Sequence, residues 1–109
     1  RYSYSKTVFI DKDHISGEFE IEENTITVYN NVVTFCSPSK KTDIILDIKK
    51  TKETGDKHVW GFERHKDNTI SLSPSIRLTR HEYCEHFFIK RNKVVNWCND
   101  SWETVYVKK

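Results

Sequence analysis

Cys84-Glu85-His86 brings together the residue types in this chain best suited to chemistry, a thiol and an imidazole separated by one residue. On an extended strand alternate side chains share a face, so Cys84 and His86 are expected to project together. Sulfur and nitrogen donors side by side are half of a tetrahedral zinc site. Cys36, which ends an apolar run just before a Ser-Pro turn, is the natural third ligand. Cys98 is the tempting fourth, and pairing register bears on it. With Arg91-Asn92 as a two-residue hairpin turn, Lys90 pairs with Lys93, His86 with Trp97 and Glu85 with Cys98. Paired residues share a face, so Cys98 then points away from Cys84 and His86, unless a three-residue turn or a bulge shifts it back. His58, His81 and Asp100 are the other candidates for that position. The plainer reading makes Cys36 and Cys98 small buried apolar residues and packs His86 on an aromatic neighbour.

Nucleophilic chemistry has a second set of candidates. Ser73, Ser75, Cys84 and His86 could supply a nucleophile and a base. A serine beside proline is more often an ordinary turn residue, and no nucleophile elbow or glycine-rich loop accompanies these serines. With three glycines in the chain a phosphate cradle is not expected. Cys84 and His86 run parallel on one strand rather than converging, which disfavours a thiol–imidazole couple. Phe88, Lys90, Arg91, Lys93 and Trp97 mix aromatics with cations as single-strand nucleic-acid surfaces do, although a hairpin with a wet tip needs the same residues.

Composition narrows these readings. The 109 residues suit one domain spanning 1–109, with 36% hydrophobic and 31% charged residues. A core this lean must draw on its six Phe, five Tyr and three Trp. A net charge of +2 with both signs interspersed gives no general nucleic-acid signal. Three cysteines cannot form a full disulfide framework, so reduced thiols in a cytoplasm are expected. No window is apolar enough to span a membrane as a helix.

The elements that must position these groups read as strands. Period-two alternation marks Gly17–Glu22, Thr25–Tyr29, Val32–Cys36, Ile44–Ile48 and Val59–Arg64. Asn30-Asn31 is a tight turn, since Asn tolerates positive φ. Ser71–Ile76 is extended, and Pro74 within it argues for an edge strand or a crossing. Phe87–Lys90 and Lys93–Trp97 flank the Arg91-Asn92 turn, and Thr104–Val107 suggests a last strand after a single helical turn capped by Asp100. Convincing helical periodicity is absent. The expected fold is all-β, a small sandwich or partly open barrel of meandering hairpins with about eight to nine short strands.

Three segments taken in order carry a family resemblance: Thr69-Ile70-Ser71-Leu72-Ser73-Pro74-Ser75-Ile76, Cys84-Glu85-His86-Phe87-Phe88-Ile89 and Asn92-Lys93-Val94-Val95-Asn96-Trp97. They resemble the bacterial and phage domain-of-unknown-function family numbered six-five-two-seven, which carries T-x-S-L-S-P-S-I followed by C-x-S-H-F/Y-W/F-I-R-D/N-G-K-V-x-W. The family's upstream C-x-C-G-C knuckle falls on Cys36-Ser37-Pro38-Ser39-Lys40, and Gly17–Tyr29 is similar to its two opening strands. The resemblance covers about Val8 to Trp97. It implies a small metal-binding β domain, sometimes encoded beside ubiquitin-like, E1-like and E2-like proteins in conjugation or anti-phage operons. By that resemblance Cys36 matches the first knuckle cysteine, and Cys84 and His86 match the later pair. Pro38 and Lys40 replace the other two knuckle cysteines, and the Cys84–His86 spacer is one residue shorter than the family's. A metal that needs those positions would have to recruit Cys98 or a histidine here.

The resulting expectation is a cytoplasmic, non-enzymatic accessory or adaptor domain, with zinc held by Cys36, Cys84 and His86 and a protein partner such as a ubiquitin-like, E1-like or E2-like protein. Phe87, Ile89 and Trp97 are assigned to packing. The alternatives are a single-stranded nucleic-acid-binding module and a metal-dependent hydrolase.

Overall fold

The computed structural model describes residues 3–13, 21–39, 42–52, 54–55, 58–79 and 83–101. These form eight strands in two four-stranded sheets, an all-β sandwich with no closed barrel. The first sheet has the order β1 (Lys6–Phe9), β2 (Thr25–Val28), β3 (Val32–Cys36), β4 (Asp43–Asp47). The second has the order β5 (Gly61–Arg64), β6 (Ile70–Thr79), β7 (Tyr83–Lys90), β8 (Lys93–Ser101).

Alternation decides which residues fill the space between the sheets. Ile26, Val33, Phe35, Ile44 and Leu46 come from the first sheet, and Ile70, Leu72, Ile76, Phe87 and Ile89 from the second. Phe35 and Phe87 meet edge to face across the interface, with ring centroids 6.4 Å apart. Each is fully buried, and burying a side chain of this size stabilises by about 1.5–3 kcal/mol. At one margin the Arg64 guanidinium, from the second sheet, lies 3.7 Å over the ring of Phe9, from the first.

Asn92 joins the hairpin tip to the amino-terminal segment. Its Oδ1 accepts from Ile70 N at 2.9 Å, and its Nδ2 donates to Thr7 Oγ1 at 2.6 Å. Arg91 and Asn92 both have positive φ, 50° and 65°, as the expected two-residue turn requires. The β5–β6 turn is braced by Asp67, whose Oδ1 accepts from both the hydroxyl and the backbone N–H of Thr69. Those bonds favour the ionised carboxyl and lower its pKa.

Several sequence expectations change. The segment β1 pairs with β2 in parallel, so the chain is not a pure meander, because a tight hairpin turn joins only antiparallel strands. The Asn30-Asn31 turn forms, with Tyr29 N donating to Val32 O at 2.8 Å, and positive φ occurs at neither asparagine. Most of the expected Gly17–Glu22 strand, together with Thr104–Val107, lies outside the described residues; Ile21 and Glu22 are not in a strand. Asp100 is in β8 instead of capping a helical turn. The strand β6 is internal, between β5 and β7, although Pro74 argued for an edge. Pro74 is accommodated because Leu72 pairs with Ile89 and Ile76 with Phe87, which leaves residues 73–75 without register partners on β7. The missing proline N–H costs least at such a bulge.

Candidate active site

The two bulges of the second sheet determine what its outer face displays. In β6, four residue steps from Leu72 to Ile76 oppose two on β7, and Ser75, alternating with buried Ile76, faces outward within that bulge. In β8, His86 pairs with Cys98 but Phe88 with Val95, so Asn96 and Trp97 together oppose Phe87. Asn96, at φ 55°, takes the left-handed conformation common in bulges. The straight register that paired His86 with Trp97 is therefore corrected by one residue, and Cys98 joins Cys84 and His86 on the outward face.

Glu85 and Phe87 are fully buried, so the alternating Cys84, His86 and Phe88 point away from the core. His86 Nε2 lies 2.7 Å from Ser75 Oγ, hydrogen-bonding distance for a base and a hydroxyl nucleophile. Both residues are half-buried. The Phe88 ring meets the imidazole edge to face at 5.9 Å, which restricts how the imidazole can tilt. Arg77 and Cys98, the exposed register partners of His86 on β6 and β8, flank it on either side. The Ser75–His86 contact is a dyad of two described side chains, and among the described residues no carboxylate bonds to the other ring nitrogen of His86.

Glu85, adjacent in sequence, has a different role. Its carboxylate is directed inward, accepting from Ser39 N at 2.9 Å, Ser39 Oγ at 3.0 Å and Trp97 Nε1 at 2.7 Å. Three donors satisfy carboxyl oxygens that would otherwise be costly to bury. They also tie β7 to the Ser37–Ser39 turn and to the β8 bulge.

A second serine–histidine contact lies further along the same face. His65 Nε2 is 2.7 Å from Ser71 Oγ, and His65 Nδ1 is 3.9 Å from Glu63 Oε2. Ser71 Oγ also accepts the Arg91 N–H at 3.0 Å. That hydroxyl is pinned from two sides and braces the base of the hairpin turn, whereas Ser75 stands on a bulge facing His86.

The expected metal ligands are not gathered. Cys36 pairs with Asp43 and alternates with inward-facing Phe35, so it lies on the outer face of the first sheet. Cys84, His86 and Cys98 lie on the outer face of the second, and packed sheets stand about 10 Å apart. Among the described residues no group of three or more His, Cys, Asp or Glu could hold an ion. Cys36 thus does not fit a donor set with Cys84 and His86. His58 packs edge to face on Trp60, with centroids 4.4 Å apart, and His81 lies outside the described residues.

Sequence reasoning named Ser75 and His86 but set them aside, because Ser-Pro suggested a turn. The signal was available in the alternation of Ser71, Ser73 and Ser75, three hydroxyls on one side of a strand facing a histidine-bearing strand. What it could not supply was the size of the bulge that aims Ser75.

The second sheet of this all-β sandwich thus displays a hydrogen-bonded Ser75–His86 couple on its outer face. Over residues 10–98 the chain matches the family described as "Bacterial ubiquitination-like system serine protease (BubE)", and it belongs to that family. No curated protein and no solved structure matches it. The association with a bacterial ubiquitination-like system agrees with the context implied by the sequence resemblance. No helix among the described residues is long and apolar enough to cross a membrane.

Proposed function

We propose that this chain is a serine peptidase acting on a protein of its bacterial ubiquitination-like system, with Ser75 as nucleophile and His86 as general base. The observation that carries the reading is the 2.7 Å contact between Ser75 Oγ and His86 Nε2, in a chain whose family is described as a serine protease. In the reaction Ser75 Oγ attacks the scissile carbonyl carbon as Nε2 takes its proton. The same nitrogen returns that proton to the leaving amine, and water then attacks the acyl-serine ester with His86 again as base. This reading replaces the non-enzymatic adaptor as the favoured function and keeps a protein as the partner. It also removes the need for metal-bound water, so the hydrolase alternative carries less weight.

The test is cleavage of a ubiquitin-like protein substrate, together with labelling by a fluorophosphonate. Ser75→Ala and His86→Gln should each lower turnover by roughly 10³-fold or more, the scale seen when one member of a serine–histidine unit is removed. The label should be found on Ser75 by peptide mass, and Ser71→Ala should keep most of the activity. Full activity in Ser75→Ala, or a label on Ser71, would refute the assignment.

A further inference from the structure

The outer face that bears Ser75 and His86 continues into a shallow groove of about 710 Å³ at the hairpin end of the second sheet. Gly61, Ser73 and Val95 contribute to its floor, and Lys90, Arg91 and Lys93 stand at its rim. The charge of this lining is one-sided, with three cations against one carboxylate, Glu63. The three cations are all exposed. The floor depends on glycine at position 61, since a β-carbon there would come within 2.9 Å of Ser73 Oγ.

The groove and the dyad are in line. Lys90, Phe88 and His86 alternate outward along β7, so at about 3.4 Å per residue Lys90 lies about 14 Å from His86 along the strand. An extended peptide covers that span in about four residues. Its backbone would run over an open sheet face, with Phe88 beneath it between the two ends. A chain held at Ser75 therefore presents to the cations the side chain some four residues from the bond being cut.

We infer that this groove is a specificity subsite for an acidic side chain about four residues from the scissile bond of an extended protein segment. The inference rests on the peptidase reading of Ser75 and His86 and adds the substrate feature that the site selects. Exposed cations act through local potential, so the preference is expected to weaken as salt rises.

The test uses the full chain and a randomised peptide library, with cleavage products sequenced by mass spectrometry. Asp and Glu should be enriched about fivefold at one position three to five residues from the cut, the upper end of what an exposed ion pair yields. In the double variant Lys90→Glu/Lys93→Glu that preference should invert toward Lys and Arg through KM, with kcat held. Equal cleavage of acidic, neutral and basic sequences by both proteins would overturn the inference while leaving the dyad intact. Undiminished cleavage by Ser75→Ala would instead sink the peptidase assignment. Independently of turnover, an extended heptapeptide carrying one Asp should shift the backbone amide resonances of Gly61, Ser73, Lys90 and Val95 more than its Lys counterpart does. Equal or absent shifts would also overturn the inference.

Discussion

Glu85 shows how much a single side chain can do from the face opposite the chemistry. It is fully buried, yet its carboxylate receives Ser39 N, Ser39 Oγ and Trp97 Nε1. Replacement by Ala leaves those donors without their acceptor, and an orphaned buried polar group costs about 1–3 kcal/mol. Glu85→Ala should therefore lower the denaturant midpoint by an amount equivalent to at least that much, and Glu85→Gln, which keeps an acceptor oxygen, should lose less. The two variants separate the packing of the side chain from its hydrogen bonds. An unchanged midpoint in Glu85→Ala would mean that the cage contributes little. Glu85 was invisible as a structural residue in the sequence, because a charged residue between Cys84 and His86 reads as an exposed spacer. Its inward direction was implied by the same alternation that turned its two neighbours outward. Its three partners, distant in sequence, were not.

At the scale of elements the local signals were strong and the long-range ones weak. Thr25–Val28, Val32–Cys36 and Asp43–Asp47 form close to where alternation placed them, since β-branched and aromatic residues on a half-buried pleat determine strands locally. The parallel pairing of β1 was not legible, because nothing in Lys6–Phe9 specifies a partner across the intervening residues. Register in the β7–β8 hairpin was legible from the turn outward only as far as the bulge at Asn96. Asn92 offers a clean test of that hairpin. Asn92→Gly preserves the positive φ but deletes the bonds to Ile70 N and Thr7 Oγ1. A loss of about 1–3 kcal/mol is expected. Amide exchange should accelerate in both Lys6–Phe9 and Ile70–Leu72, which the asparagine joins. Faster exchange confined to the turn would show that the side chain is not the clamp.

For the whole molecule, the two sheets divide the labour. The first carries Cys36 on its outer face and contributes half of the core, and the second carries the dyad, its flanking residues and the cationic groove. This division places Cys36 on a different sheet from Cys84 and His86. Three donors in a plausible sequence order become two sets separated by the thickness of a sandwich, and sequence order carries no information about which face of which sheet a residue occupies. A chelator is therefore expected to leave the thermal midpoint unchanged, because a structural metal contributes folding energy only where its ligands converge. A marked drop on chelation, reversed by added zinc, would show that other residues complete a site.

The surplus residues of β6 make the dyad depend on parity. Because side chains on a strand alternate, removing one residue between Leu72 and Ile76 would do more than loosen the hydroxyl's aim. It would exchange inside for outside along one arm of the strand, sending the serine toward the apolar interior or an isoleucine into water. Removing two would restore the alternation but straighten the ladder, drawing the hydroxyl back into a regular row. Chain length at this one place thus acts as a switch with discrete settings, and only some settings keep the Ser75 hydroxyl beside the His86 imidazole.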